Sequence, residues 1–139
     1  MFEKIAIAND GSQGAARALS AAITLAKVHG GQLHMISVEE LPRFPASIDE
    51  VIEEKDEANH RYEAVIARAK AQAQAQGVGL TTHVLVGHAV PTIVEFVERE
   101  RCDVLVVGFM GHSALYNRLI GSSTDRLVEL APCAVLVVK

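Results

Sequence analysis

Residues 103–107, Asp-Val-Leu-Val-Val, form a run of apolar, mostly β-branched side chains that leads directly into Gly108. A strand that is apolar at successive positions is buried on both faces, which happens where helices cover each side of a parallel sheet. Further strand-like runs near residues 4–9, 32–38, 80–86 and 134–138 alternate with four helix-like runs. The alternation predicts one doubly wound α/β domain over residues 1–139, with a mainly parallel five-stranded sheet flanked by four helices. A length of 139 residues fits one core, and a hydrophobic content of 50% is ample to fill it.

The first helix is expected from Ser12, a good N-cap, with Leu19, Ala22, Ile23 and Ala26 at helical spacing before Gly30 and Gly31 stop it. The second spans about 49–76, carries Ala58, Tyr62, Val65, Ile66, Ala69 and Ala73 on one stripe, and ends at Gly77. Before it, the two prolines of residues 41–47 predict a surface loop near the end of the second strand, placed to cover a ligand. Pro91 opens the third helix, with Val90, Ile93, Val94 and Val97 on one face. The fourth holds Leu127, Val128 and Ala131, and Pro132 closes it. In open sheets of this kind ligands bind beyond the carboxyl ends of the strands where the strand order reverses, which gathers Asp10, Val38 and Gly108 at one edge.

That edge holds the most chemically specific pattern, Gly108-x2-Gly111-x9-Gly121-Ser122, set between a strand and a helix. Its glycines permit positive φ and close backbone approach, and Ser122, Ser123 and Thr124 bring hydroxyls and unpaired N–H groups to a helix start. Such donors suit an anion, above all a phosphate. Three other phosphate-handling patterns are missing. No Gly-x4-Gly-Lys-Ser/Thr occurs, Asp10-Gly11-Ser12-Gln13-Gly14 is not Gly-x-Gly-x-x-Gly, and Val86-Gly87 stands where a phosphoacceptor receiver would need an aspartate.

The glycine spacing, with the opening Ile5-Ala6-Ile7-Ala8-Asn9-Asp10-Gly11-Ser12 and the closing Ala131-Pro132-Cys133-Ala134-Val135-Leu136-Val137-Val138, resembles the universal stress protein family over essentially the whole chain. The resemblance implies an adenine nucleotide alpha hydrolase-like fold and a nucleotide-responsive regulatory or stress-protective protein that binds ATP. It places Ala8 and Asn9 at the floor of the site, Asp10 beside the adenosine, and the Val38 backbone at the adenine edge. The phosphates are then expected against Gly111, His112, Gly121, Ser122 and Ser123, with Gly108, Met110, Ser113 and Thr124 completing the nucleotide-binding set and Mg²⁺ offsetting charge that no fixed lysine neutralises. It also implies a homodimer through residues 134–138. Three positions depart from the family pattern: Phe109-Met110 is bulkier than the usual small or polar pair, and His112 replaces a common Arg or Lys.

Other chemistries are disfavoured. A net charge of −4, with four Phe, two Tyr and no Trp, argues against nucleic acid and anionic membrane as partners. Cys102 and Cys133 are expected to be small buried side chains. The histidines at 29, 34, 60, 83 and 88 form no His-x3-His pair and have no cysteine at ligand spacing, which argues against a structural transition-metal site. No Gly-x-Ser-x-Gly elbow supports a hydrolase. Without an evident general base or fixed cation, slow ATP hydrolysis is the alternative rather than the leading reading. The opening Met1-Phe2-Glu3-Lys4 lacks the regions of a signal peptide, and no apolar stretch approaches a membrane span, so a cytoplasmic protein is expected.

Overall fold

The computed structural model describes residues 1–40, 60, 62–109 and 120–139. Its elements run β1 (Lys4–Ala8), α1 (Gln13–His29), β2 (Gln32–Glu40), α2 (Glu63–Ala75), β3 (Leu80–Gly87), α3 (Ala89–Arg99), β4 (Val104–Gly108), α4 (Ser122–Leu130) and β5 (Ala134–Val138). The strands form one five-stranded sheet in the order β3-β2-β1-β4-β5. Every pairing is parallel, with Ile5 opposite both Leu33 and Val104, and Val106 opposite Leu136. The five strands and four described helices are those expected from the alternation of apolar runs.

Strand pleat sorts the core into two layers. Ile5, Ile7, Leu33, Met35, Val104 and Val106 point to one face, under α1 and α2. Ala6, Ile36, Leu105 and Val107 point to the other, under α3 and α4. Both faces of β1 and β4 are therefore dry, which is why these strands carry apolar residues without alternation.

Helix α1 starts where its sequence requires. The Ser12 side chain accepts a hydrogen bond from Ala15 N at 3.1 Å, and the helix ends in left-handed Gly30 at φ 62°. Its sheet side is built from Ala15, Ala18, Ala22 and Ala26 with Leu19 and Ile23, all buried, so the helix axis sits close to the strands. Helix α3 begins at Ala89, two residues before the expected Pro91. His88 at its N-cap makes no side-chain capping bond; instead the Glu40 carboxylate, at the end of β2, accepts Ala89 N at 2.9 Å. Of the long second helix expected over 49–76, Glu63–Ala75 is helical, while 49–59 and the proline loop 41–47 lie outside the described residues. No described helix is long and apolar enough to cross a membrane.

Candidate functional site

Because each described βα connection leaves a strand at the same end of the sheet, the N-termini of α1, α3 and α4 gather at the carboxyl edge. The strand order reverses between β1 and β4, and a cavity of about 480 Å³ opens there. That volume lies within the roughly 300–1,000 Å³ of small-molecule sites. Ala8, Asn9, Asp10, Val38, Gly108, Gly121, Ser123 and Thr124 line it. Ser122 is the first residue of α4, exposed and not among the lining residues. Met110, Gly111, His112 and Ser113 lie outside the described residues.

The floor is fixed by hydrogen bonds from β2. Asn9 N donates to Ile36 O at 2.9 Å, and Ser37 Oγ donates to Asn9 O at 2.7 Å. Asn9 Oδ1 accepts Gly11 N, and Asp10 Oδ1 accepts Ser12 N, each at 2.9 Å. These two side-chain turns carry the chain out of β1 and into α1 without leaving the cavity edge, and Gly11 takes the left-handed φ of 83° that the bend needs.

The opposite wall comes from β4 and α4. Thr124 Oγ1 donates to Gly108 O at 2.7 Å, Phe109 N to Val138 O at 2.9 Å, and Gly121 N to Phe109 O at 3.0 Å. The last bond holds together the two ends of segment 110–119, so both arms of the glycine pattern meet at the cavity. Neither Gly108 nor Gly121 uses the positive φ that glycine permits. Gly121 has φ −61° and ψ 146°, and Gly108 is an extended strand residue. What demands glycine at 108 is packing: a Cβ there would lie 2.8 Å from Gly14 C and 2.9 Å from Gly14 O in the first turn of α1.

Charge divides the cavity. Asp10, Glu39 and Glu40 stand along the ends of β1 and β2, whereas Gly121, Ser123 and Thr124 bring first-turn groups of α4, the positive end of a helix dipole. No lysine or arginine lines the cavity among the described residues.

The sequence pattern of the universal stress protein family matches residues 1–139. The chain belongs to the universal stress protein family. Universal stress protein MJ0531 of Methanocaldococcus jannaschii is 32% identical, over all of this chain and 83% of its own length. YxiE of Bacillus subtilis is 28% identical with both chains fully covered. Among solved structures, hypothetical protein MJ0577 superposes with a TM-score of 0.88 at 25% identity, over 100% of this chain and 96% of its own. A universal stress protein in complex with cAMP superposes at 0.77 and 25%, over 99% and 97%. UspA of Lactobacillus plantarum, at 0.87 and 24% over 99% and 98%, shares the fold.

Sequence reasoning did not assign Tyr62 and Glu40 to the site of this family member. Tyr62 lines the cavity, is 9% exposed, and donates from its hydroxyl to Val38 O at a long 3.4 Å. It appeared only as one apolar position on a helix stripe. A tyrosine on such a stripe, near a strand whose backbone is expected to meet a ligand, was the available signal. Glu40 combines cavity lining with the cap on α3, and its other oxygen lies 3.3 Å from His88 Nδ1.

Proposed function

We propose that the protein binds an adenine nucleotide, ATP in the first place, and that occupancy rather than turnover carries its regulatory or stress-protective role. One observation carries this reading: the cavity at the β1/β4 switch is acidic along β1 and β2 and ringed by helix-start donors at α4, where both ends of the glycine pattern meet. The family relative solved with cAMP, which superposes at 25% identity, supports the nucleotide class. Phosphates would lie against α4 and the glycine segment, including His112, away from Asp10, Glu39 and Glu40. The nucleoside would reach over Ala8 and Asn9 towards the Val38 backbone and Tyr62, with ribose hydroxyls donating to Asp10.

Among the described residues a divalent cation finds one binding mode. The described residues contain no cluster of three or more ligating side chains, so Mg²⁺ would be held mainly by nucleotide phosphates and water, with at most a carboxylate such as Asp10. The absence of lysine and arginine from the described lining leaves the charge of a phosphoryl-transfer transition state without a fixed partner, which favours binding over hydrolysis. In this reading the protein acts in the cytoplasm, and a second copy pairs along β5.

Isothermal titration with ATP, ADP, AMP and cAMP, with and without Mg²⁺, tests the proposal. Saturable 1:1 binding of at least one is expected, weakened strongly in Gly121→Val. Absence of binding for all four overturns it.

A further inference from the structure

At the end of the sheet away from this cavity, β2 and β3 carry two histidines on the face covered by α3. Ile36 is opposite His83 and His34 opposite Thr81, so the two histidines are diagonal neighbours on adjacent strands. Their Nδ1 and Nε2 atoms lie 3.1 Å apart, and the rings are near parallel, at 21° with centroids 5.3 Å apart. Phe96 of α3 packs at 4.7 Å from the His83 ring. The charged groups facing the pair are Lys4 from β1, Arg99 from the last turn of α3 and Glu100 at its C-cap, with Lys4 Nζ 3.2 Å from Glu100 Oε2. Neither histidine lines the cavity.

We propose that His34 and His83 form a two-histidine chelate for a transition-metal dication of the Zn²⁺ class, with water in the remaining coordination positions. Two imidazole nitrogens at about 2.0–2.1 Å from a tetrahedral Zn²⁺ lie roughly 3.3–3.4 Å apart, so the pair is already within a few tenths of an ångström of the bite required. Both rings are half-buried, and desolvation holds each histidine below its ordinary pKa, so at neutral pH the imidazoles carry lone pairs rather than positive charge. A neutral imidazole has one N–H. With that proton on Nε2 of His34 and on Nδ1 of His83, the two facing nitrogens are both lone-pair donors and no net proton leaves the protein. Imidazole selects Zn²⁺, Cu²⁺ or Ni²⁺ over Mg²⁺ and Ca²⁺. Among the described residues no third His, Cys, Asp or Glu joins them as a cluster, so the site is open and exchangeable rather than a closed structural one. Bound metal would fasten the edge strand β3 to β2.

The test is calorimetric titration of ZnCl₂ into chelator-treated protein at pH 7.5 in a non-coordinating buffer. One Zn²⁺ per chain is expected, with affinity at least about tenfold weaker in His34→Gln and in His83→Gln, the scale on which removing even outer-shell support weakens metal sites. His88→Gln is the control, because His88 at 3.3 Å from Glu40 is the closer of two exposed histidine–carboxylate pairs, and it should leave the affinity unchanged. Should either pair variant fail to fold, NMR of the wild-type imidazole rings decides without mutation: the first equivalent of Zn²⁺ must shift His34 and His83 before the other histidines. No saturable binding, affinity unchanged in both pair variants, or a first equivalent that goes elsewhere overturns the proposal and leaves the pair a hydrogen bond between strands.

Discussion

Gly108 and Gly121 belong to one sequence pattern, yet different physical demands fall on them. At Gly108 an added methyl meets the backbone of Gly14, which cannot swing aside as a side chain can, so Gly108→Ala must push α1 away from β4. A loss of about 1–3 kcal/mol is expected, the usual cost of overpacking, measured by urea unfolding. Gly121 has a backbone conformation that any residue adopts, so Gly121→Val adds bulk at the cavity without backbone strain and should weaken nucleotide binding strongly while the chain still folds, checked by circular dichroism on the same sample. If Gly121→Val binds ATP as well as wild type does, the α4 start is not where phosphate sits. Ser12→Ala removes the side-chain acceptor for Ala15 N and should cost about 1 kcal/mol in the same unfolding measurement.

At the scale of elements, β1 and β4 are joined by more than their ladder. Asp103 Oδ2 accepts both Glu3 N and Lys4 N at 2.9 Å, fixing the starts of two neighbouring strands. Asp103→Ala leaves both donors without that acceptor at an exposed site, and a loss of roughly 1–2 kcal/mol is expected by urea unfolding. The strand β5 poses a different problem: it is an edge strand with Leu136 39% exposed, an open apolar ladder in an isolated chain. If a second copy closes it, Leu136→Pro should yield monomer or insoluble protein, and a monomeric wild type in light scattering at micromolar concentration would refute the pairing. The strands were legible because β1 and β4 are apolar at successive positions, which only double-sided burial explains. The start of α3 was misplaced because its cap, Glu40, comes from another element 49 residues earlier in the chain. The pairing of His34 with His83 was hidden for the same reason. Local spacing records what one helix or strand puts side by side, while contacts between strands depend on a register that periodicity does not specify. Gly108 lines the cavity, but the reason for its glycine lies in the approach of α1, which no pattern around residue 108 contains.

For the molecule as a whole, the cavity draws on β1, β2, β4, α4 and Tyr62, pieces spread across most of the chain. An unfolded chain cannot assemble that set, so a nucleotide bound there must stabilise the native state through linkage, by about 2.7 kcal/mol at 100 times its dissociation constant. Cys102 offers an internal reporter. It is 7% exposed, and burial pushes its thiol up to about 11, whereas an unfolded cysteine ionises near pH 8.5. Native Cys102 is both inaccessible and protonated at pH 8, and it reacts with a thiol reagent only when the fold opens. In moderate urea, where global unfolding supplies that opening, the labelling rate follows the open population, so ATP at 100 times its dissociation constant should slow labelling about 100-fold. The half-buried Cys133 is replaced by serine in this experiment, so that only one thiol is counted. Labelling slowed in wild-type background and unaffected by ATP in Gly121→Val would tie the stabilisation to the α4 end of the cavity. Labelling and urea midpoint both unmoved by saturating nucleotide would mean that no nucleotide occupies the β1/β4 switch.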